Sequence, residues 1–262
     1  MQPRFRLVDP KTGEFVRPDA NTIAELGRVP PPGWEQVFYD CKEDFEDIDI
    51  VLRKFEPQLG PSFPVRREIF EALWLTPLDN VKVIIIGQDP YPQWCDTLNC
   101  PRAMGLSFSV RRGDEIPVSL RNIFSLAERT VPGFVRPDHG DLTGWAKQGV
   151  LLLNNALTVP KDLAGAYSGV EFACGTEKKK LTPWTGVVRK ILKSVIATNP
   201  KVAIVLWGGP AQKLAKDLGS AKLFIGAHPA SRNGEFYNQN VFNEINDWLI
   251  KNQKEAINWT QL

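Results

Sequence analysis

Four segments that could carry chemistry each follow a short apolar run. They are Gly87-Gln88-Asp89-Pro90-Tyr91-Pro92, Asn154-Asn155, Trp207-Gly208-Gly209-Pro210 and Gly226-Ala227-His228-Pro229. A carboxylate can hold a water or balance a developing cation, and a histidine can exchange or share a proton near neutral pH. A carboxamide presents donors and acceptors on one planar edge, so Asn154 can face a polar ring edge bidentately. Each residue also has a structural reading. Asp89 alone fits an Asx turn or helix cap, Asn154 a strand cap and His228 a satisfied structural histidine. Phe108, in Gly105-Leu106-Ser107-Phe108-Ser109-Val110, could be core. His139, in Pro137-Asp138-His139-Gly140-Asp141, reads as a loop-ordering residue, and Lys178-Lys179-Lys180 as a solvated face with phosphate contact the lesser option.

Convergence of these segments depends on the elements beneath them. Val81 to Ile86, Val150 to Leu153, Val202 to Leu206 and Leu223 to Ile225 are short, apolar, bounded by turn residues and without a polar alternate face. That pattern predicts strands buried on both sides of a parallel sheet. Helical stripes accompany them. They are Val65, Ile69, Phe70, Leu73 and Trp74; Leu120, Ile123, Phe124 and Ala127; Val187, Val188, Ile191, Leu192, Val195 and Ile196; and Phe242, Ile245, Trp248 and Leu249. The expected fold is α/β, a single domain with a central four-stranded parallel sheet flanked by helices on both faces. Ligands of such sheets sit at the carboxyl ends of the strands, so the four segments share one rim and a site is expected there. Residues 1–33, polar and ending in Pro30-Pro31-Pro32-Gly33, read as a loosely ordered N-terminal arm, with the compact domain at 34–262.

The 262 residues, 43% hydrophobic and 24% charged, suffice for a core that stands without staples. A net charge of +2 neither indicates nor excludes nucleic acid, because a local basic patch is enough. Cys41, Cys95, Cys100 and Cys174 form no C-x-x-C pair, and with two histidines they argue against zinc. Cys95 and Cys100 are close enough in sequence to pair in a loop. The polar start from Met1 to Arg6 has no secretory leader and no apolar run reaches membrane-span length. An intracellular protein, nuclear or cytoplasmic, with no membrane partner and no cofactor is expected.

Beyond these patterns, Val83-Ile84-Ile85-Ile86-Gly87-Gln88-Asp89-Pro90-Tyr91-Pro92 resembles the water-activating loop of family 1 uracil-DNA glycosylases. Gly105 to Val110 resembles the segment carrying the family's stacking phenylalanine, and Ile116-Pro117-Val118-Ser119-Leu120 its proline-rich loop. The run from His139 to Asn154 is similar to the uracil-binding segment. Leu206-Trp207-Gly208 with Ala211-Gln212-Lys213 resembles the glycine-serine loop, and Ala227-His228-Pro229 the start of the intercalation loop. The resemblance spans about residues 34–262 with its motifs in the family order. It implies hydrolysis of the N-glycosidic bond of a deoxyuridine flipped out of DNA. It implies that Phe108 stacks on uracil, that Asn154 reads its polar edge and rejects cytosine, that Tyr91 excludes thymine's methyl, and that Gln88 contacts the base through its backbone. Asp89 would position the attacking water and stabilise the sugar cation, and His228 would bond the uracil oxygen that gains charge. Ser119, Gly208, Gly209 and Arg232 are the expected DNA contacts.

The chain departs from the family pattern at Pro92, at an apparent insertion holding Cys95 and Cys100, at Gly209 in place of serine, and along Leu163 to Pro183. His228-Pro229-Ala230-Ser231-Arg232 lacks the wedging leucine, and Arg232 stands nearest its place. Pro92 and that arginine resemble the poxviral branch. The expected partners are therefore uracil-containing DNA, single- or double-stranded, a replication protein, and a proteinaceous glycosylase inhibitor. Two other functions compete. One is a DNA-binding replication accessory with secondary or lost catalysis, which would be indifferent to Asp89→Ala. The other is a hydrolase of free nucleosides, which would act on deoxyuridine but not on DNA.

Overall fold

The computed structural model describes residues 17–219, 221–232 and 234–262. Four strands form the central sheet: β1 Val83–Gly87, β2 Val150–Asn154, β3 Ala203–Trp207 and β4 Lys222–Gly226. All pairs are parallel and the order is β4-β3-β1-β2. Every residue of β1, β2 and β3 is buried. Because successive side chains point to opposite faces, complete burial means that both faces are covered. Strand β4 departs from the expectation. It is one of the two outer strands, and unlike the other, β2, it is left partly uncovered: its Ile225 is 58% exposed.

The helices α1 Ile23–Leu26, α2 Lys42–Leu59, α3 Val118–Thr130, α4 Thr185–Thr198 and α5 Val241–Lys251 lie around this sheet, together with shorter turns. The expected stripes of α3, α4 and α5 are their buried faces, apart from the partly exposed Ile196 and Trp248. The first stripe is not one helix. A 3-10 turn, Arg66–Glu68, precedes a short helix, Glu71–Leu75, and Val65 is exposed. Pro64 before it and Pro77 after it leave little length for a longer helix. Trp34, Trp145, Trp184 and Trp259 are fully buried, and each indole N–H has an acceptor: the carbonyls of Thr76, Trp259 and Phe242 for Trp34, Trp145 and Trp259, and the Thr158 hydroxyl for Trp184.

The expected arm of residues 1–33 falls partly outside the described residues. Within its described part, 17–33, the short helix Ile23–Leu26 is seated on the domain. Ile23 and Leu26 are buried, and the Asp49 carboxylate accepts the N–H groups of Ile23 at 2.8 Å and Ala24 at 2.9 Å. A helix start leaves such N–H groups without intrahelical partners, so a buried carboxylate there holds the segment on the domain. Cys95 and Cys100 face each other across a two-stranded hairpin, Trp94–Cys95 with Cys100–Pro101, as free thiols. Among the described residues no helix is long and apolar enough to cross a membrane.

Candidate active site

The order β4-β3-β1-β2 reverses direction between β1 and β3, which opens a crevice at the carboxyl ends of those strands. Gly87 and Asn154 end their strands as register partners. A Cβ at Gly87 would fall 2.2 Å from Asn154 Oδ1 and 3.0 Å from Ser107 Cβ, so glycine is what permits this close approach. Asn154 is 6% exposed, and among the described residues its carboxamide makes no hydrogen bond while keeping a small contact with solvent. An amide that is mostly covered is normally paired. One that is not, at the mouth of a crevice, is set for a ligand with a complementary edge.

The turn after β1 carries Gln88 and Asp89. The Gln88 carbonyl accepts the Ala156 N–H at 3.0 Å, and its side chain donates to Ser168 Oγ at 3.3 Å. Asp89 Oδ2 accepts the Gly165 N–H at 2.6 Å. Burial raises the Asp89 pKa above its ordinary value, and the bonds from Gly165 and Gln88 oppose that rise.

Phe108 is held by its neighbours on either side. Ser107 donates its N–H to the Leu152 carbonyl at 3.0 Å and its hydroxyl to the Ile85 carbonyl at 3.1 Å. Val110 N–H donates to the Gly140 carbonyl at 2.9 Å. Between these staples Phe108 adopts φ 63°, a left-handed value that is strained for an aromatic residue. The Tyr91 hydroxyl donates to the Phe108 carbonyl at 3.2 Å, and burial raises the Tyr91 pKa. The Phe108 ring meets Trp207 edge-on at 5.9 Å and the His228 ring at 6.4 Å. Trp207 is itself fixed by donation to Gln239 Oε1 at 3.1 Å.

His228 Nδ1 accepts the Ala230 N–H at 3.0 Å. A backbone N–H can only donate, so Nδ1 is unprotonated and the neutral ring carries its proton on Nε2. Desolvation lowers the His228 pKa, which favours that neutral form. The ring is packed against Gly208, where an added Cβ would lie 2.9 Å from His228 Cβ.

The four expected DNA contacts occupy different settings. Ser119 lies in the first turn of α3, partly exposed. Gly209 and Arg232 are exposed. Gly208 is buried and its N–H is committed to the Gly226 carbonyl at 3.0 Å. Sequence reasoning missed Gly165 and Ser168, which meet Asp89 and Gln88, as well as Gln239. The Gly165 donor is a backbone N–H, which no residue type announces. His139, as expected, orders its own loop by accepting the Asp141 N–H at 3.2 Å.

Residues 74–250 match the family model of the uracil DNA glycosylase superfamily. The uracil-DNA glycosylase of Dichelobacter nodosus is 35% identical over 231 residues, covering 86% of this chain and 93% of that protein. That of Oceanobacillus iheyensis is 39% identical over 201 residues, covering 75% and 80%. The crystal structure of mimivirus uracil-DNA glycosylase superposes with a TM-score of 0.77 at 23% identity, covering 87% of this chain and 86% of that one. A tyrosine variant of the mimivirus enzyme in complex with UGI gives 0.76 at 23% identity, covering 90% of each chain. At that identity the structural likeness speaks for the fold alone.

Proposed function

The chain belongs to the uracil-DNA glycosylase superfamily and is a hydrolase that excises uracil from DNA; from that premise we propose the part each pocket residue takes. Uracil, flipped from the strand, stacks on Phe108. The Asn154 carboxamide pairs with its polar edge, and the Gln88 backbone N–H adds a further contact. Cytosine is rejected because its amino group presents a donor where uracil presents an acceptor. Tyr91, held against the Phe108 carbonyl, leaves no room for the methyl of thymine. The observation that carries this reading is the mostly covered carboxamide of Asn154, with no hydrogen-bond partner among the described residues, beside the strand end that precedes Asp89.

The bond between the base nitrogen and the sugar breaks with positive charge growing on the sugar and negative charge on uracil. The Asp89 carboxylate faces the first, and the neutral His228 Nε2–H donates to the oxygen that gains the second. Water then adds to the sugar carbon, and its proton balances the departing uracil anion. Fixed charges and donors of this kind can each supply about 3 kcal/mol of transition-state stabilisation. Ser119, Gly208, Gly209 and Arg232 are the proposed contacts to the DNA strand, and weakening by added salt is their signature.

The same reading extends to two protein partners. One is a glycosylase inhibitor of the UGI kind, supported by the complex of the mimivirus enzyme. The other is a replication protein, supported by the resemblance at Pro92 and Arg232. An accessory that has lost catalysis is not favoured, since the relatives are named as glycosylases and Asp89, Asn154 and His228 are all present. The test is uracil release from a labelled single-stranded oligonucleotide by wild type and Asp89→Asn, with a thymine control. Cleavage at uracil alone, falling roughly 100- to 1000-fold in the variant, is expected. Equal activity in both proteins would remove Asp89 from the mechanism.

A further inference from the structure

Asn122 lies inside α3, where an asparagine is a poor choice for helix stability because its side chain competes for backbone bonds. Here that side chain leaves the helix. Asn122 Nδ2 donates to the carbonyl of Pro229 at 2.7 Å, across 107 residues of sequence. Pro229 is buried and directly follows His228. Within the short loop, the Ser231 N–H donates to the His228 carbonyl at 2.8 Å and the Ala230 N–H to His228 Nδ1 at 3.0 Å. These internal bonds fix the shape of the loop and the tautomer of the ring. They do not fix where the loop stands relative to the sheet. The bond from Asn122 ties the loop to a rigid helix, and the packing of His228 against Gly208 holds it from the other side.

We infer that Asn122 is a positioning residue for His228: it anchors the Pro229 carbonyl to α3 so that the Nε2–H of His228 faces the base that leaves. The inference rests on the donor role proposed above for His228. Proline makes the anchor point specific, because Pro229 has no N–H and its carbonyl is the only backbone polar group it offers. Without Asn122 that buried carbonyl loses its partner and the loop is released from α3. A donor that acts on charge developing in the transition state then loses its aim, while ground-state binding through Phe108 and Asn154 is retained.

The test combines kinetics and nuclear magnetic resonance on the full chain. Asn122→Ala is expected to lower kcat for uracil release roughly tenfold with KM nearly unchanged. Asn122→Asp keeps the side-chain shape and removes the donor, so it carries the same expectation and serves if the alanine variant does not fold. In a His228→Ala background either change is expected to add little, as coupled residues do. The chain has only two histidines, and His139 also accepts a backbone N–H through Nδ1, so it is an internal control. The Nε2–H tautomer, held within the loop by Ala230, is expected to persist in the Asn122 variants, while the 15N and 1H shifts of the His228 ring move as its packing against Gly208 changes, with those of His139 unmoved. Additive losses in the double variants, or unchanged His228 signals, would overturn the inference. If His228→Ala itself leaves uracil release intact, it is the proposed role of His228 that fails.

Discussion

The Gly165 N–H donates to Oδ2 of Asp89 at 2.6 Å, although the two residues are 76 positions apart in the chain. The bond commits Oδ2, and the Gln88 side chain also bonds the carboxylate. Gly165 has φ +82° and sits where a Cβ would lie 2.4 Å from Val170 Cγ2 and 3.3 Å from Gln88 Nε2. A segment that departs from the family pattern thus supplies the partner of the central acid.

Gly165→Ala is therefore expected to displace Asp89. The left-handed backbone alone costs a residue with a side chain on the order of 1–2 kcal/mol. Uracil release should fall roughly 10- to 100-fold, since a small misplacement of a reacting group has that effect. Steady-state kinetics and a thermal melt check it; wild-type activity in a less stable variant would mean that the bond to Asp89 has no part in the rate.

Acid should inactivate the enzyme through two groups. Asp89 must be ionised, and its pKa is raised above 3.8 by burial. His228 must be neutral, and its pKa is lowered below 6.5 by desolvation. The two titrations are drawn toward each other, so kcat/KM should drop as pH falls below 6.5, steeply where both groups protonate. A pH profile with its acid midpoint above 6.5 would contradict the lowered histidine.

The raised pKa of Asp89 also sets a sign for stability. The folded state binds this proton more tightly than the unfolded chain, so stability is lost as pH rises from the unfolded value through the folded one. At neutral pH the charged Asp89 opposes folding. Asp89→Asn should melt no lower than wild type at pH 7, while its activity collapses. A clear drop in Tm at pH 7 would show that the ionised carboxylate stabilises the fold instead.

Tyr91→Ala removes both the ring proposed to exclude a methyl and the bond to the Phe108 carbonyl. Thymine release should become detectable, and uracil release should fall about tenfold or more as Phe108 loosens. Oligonucleotides carrying one uracil or one thymine separate the two effects. A variant that loses uracil release and gains none on thymine would assign Tyr91 to support of Phe108 alone.

Arg232 is exposed on a loop that offers no large aliphatic side chain from His228 to Arg232. Opening a duplex is helped by an apolar wedge between base steps. Cleavage of single-stranded substrate should accordingly exceed that of duplex, and Arg232→Leu should narrow the gap several-fold. An unchanged ratio would show that this position is not where the duplex is opened.

The apolar runs were enough to read three buried strands, because a strand covered on both faces needs no polar alternation. The fourth, Leu223 to Ile225, looked the same in sequence but is left partly uncovered, while β2, also an outer strand, is buried; which outer strand is covered is a property of the assembled fold. The packing of residues 17–33 was hidden for a similar reason: Pro and Gly punctuate that segment, while the carboxylate that caps it, Asp49, lies far along the chain.

For the site, residue types and their places at strand ends marked out Asp89, Asn154 and His228 as candidates, since side-chain chemistry and strand ends are both written locally. Only the tertiary structure decided which atom of each is committed. Gly165 takes one oxygen of Asp89, Ala230 takes Nδ1 of His228, Gly226 takes the Gly208 N–H, and Asn154 is left open to the pocket. Most of those partners are backbone groups, which every residue carries alike, so only the path of the folded chain selects among them.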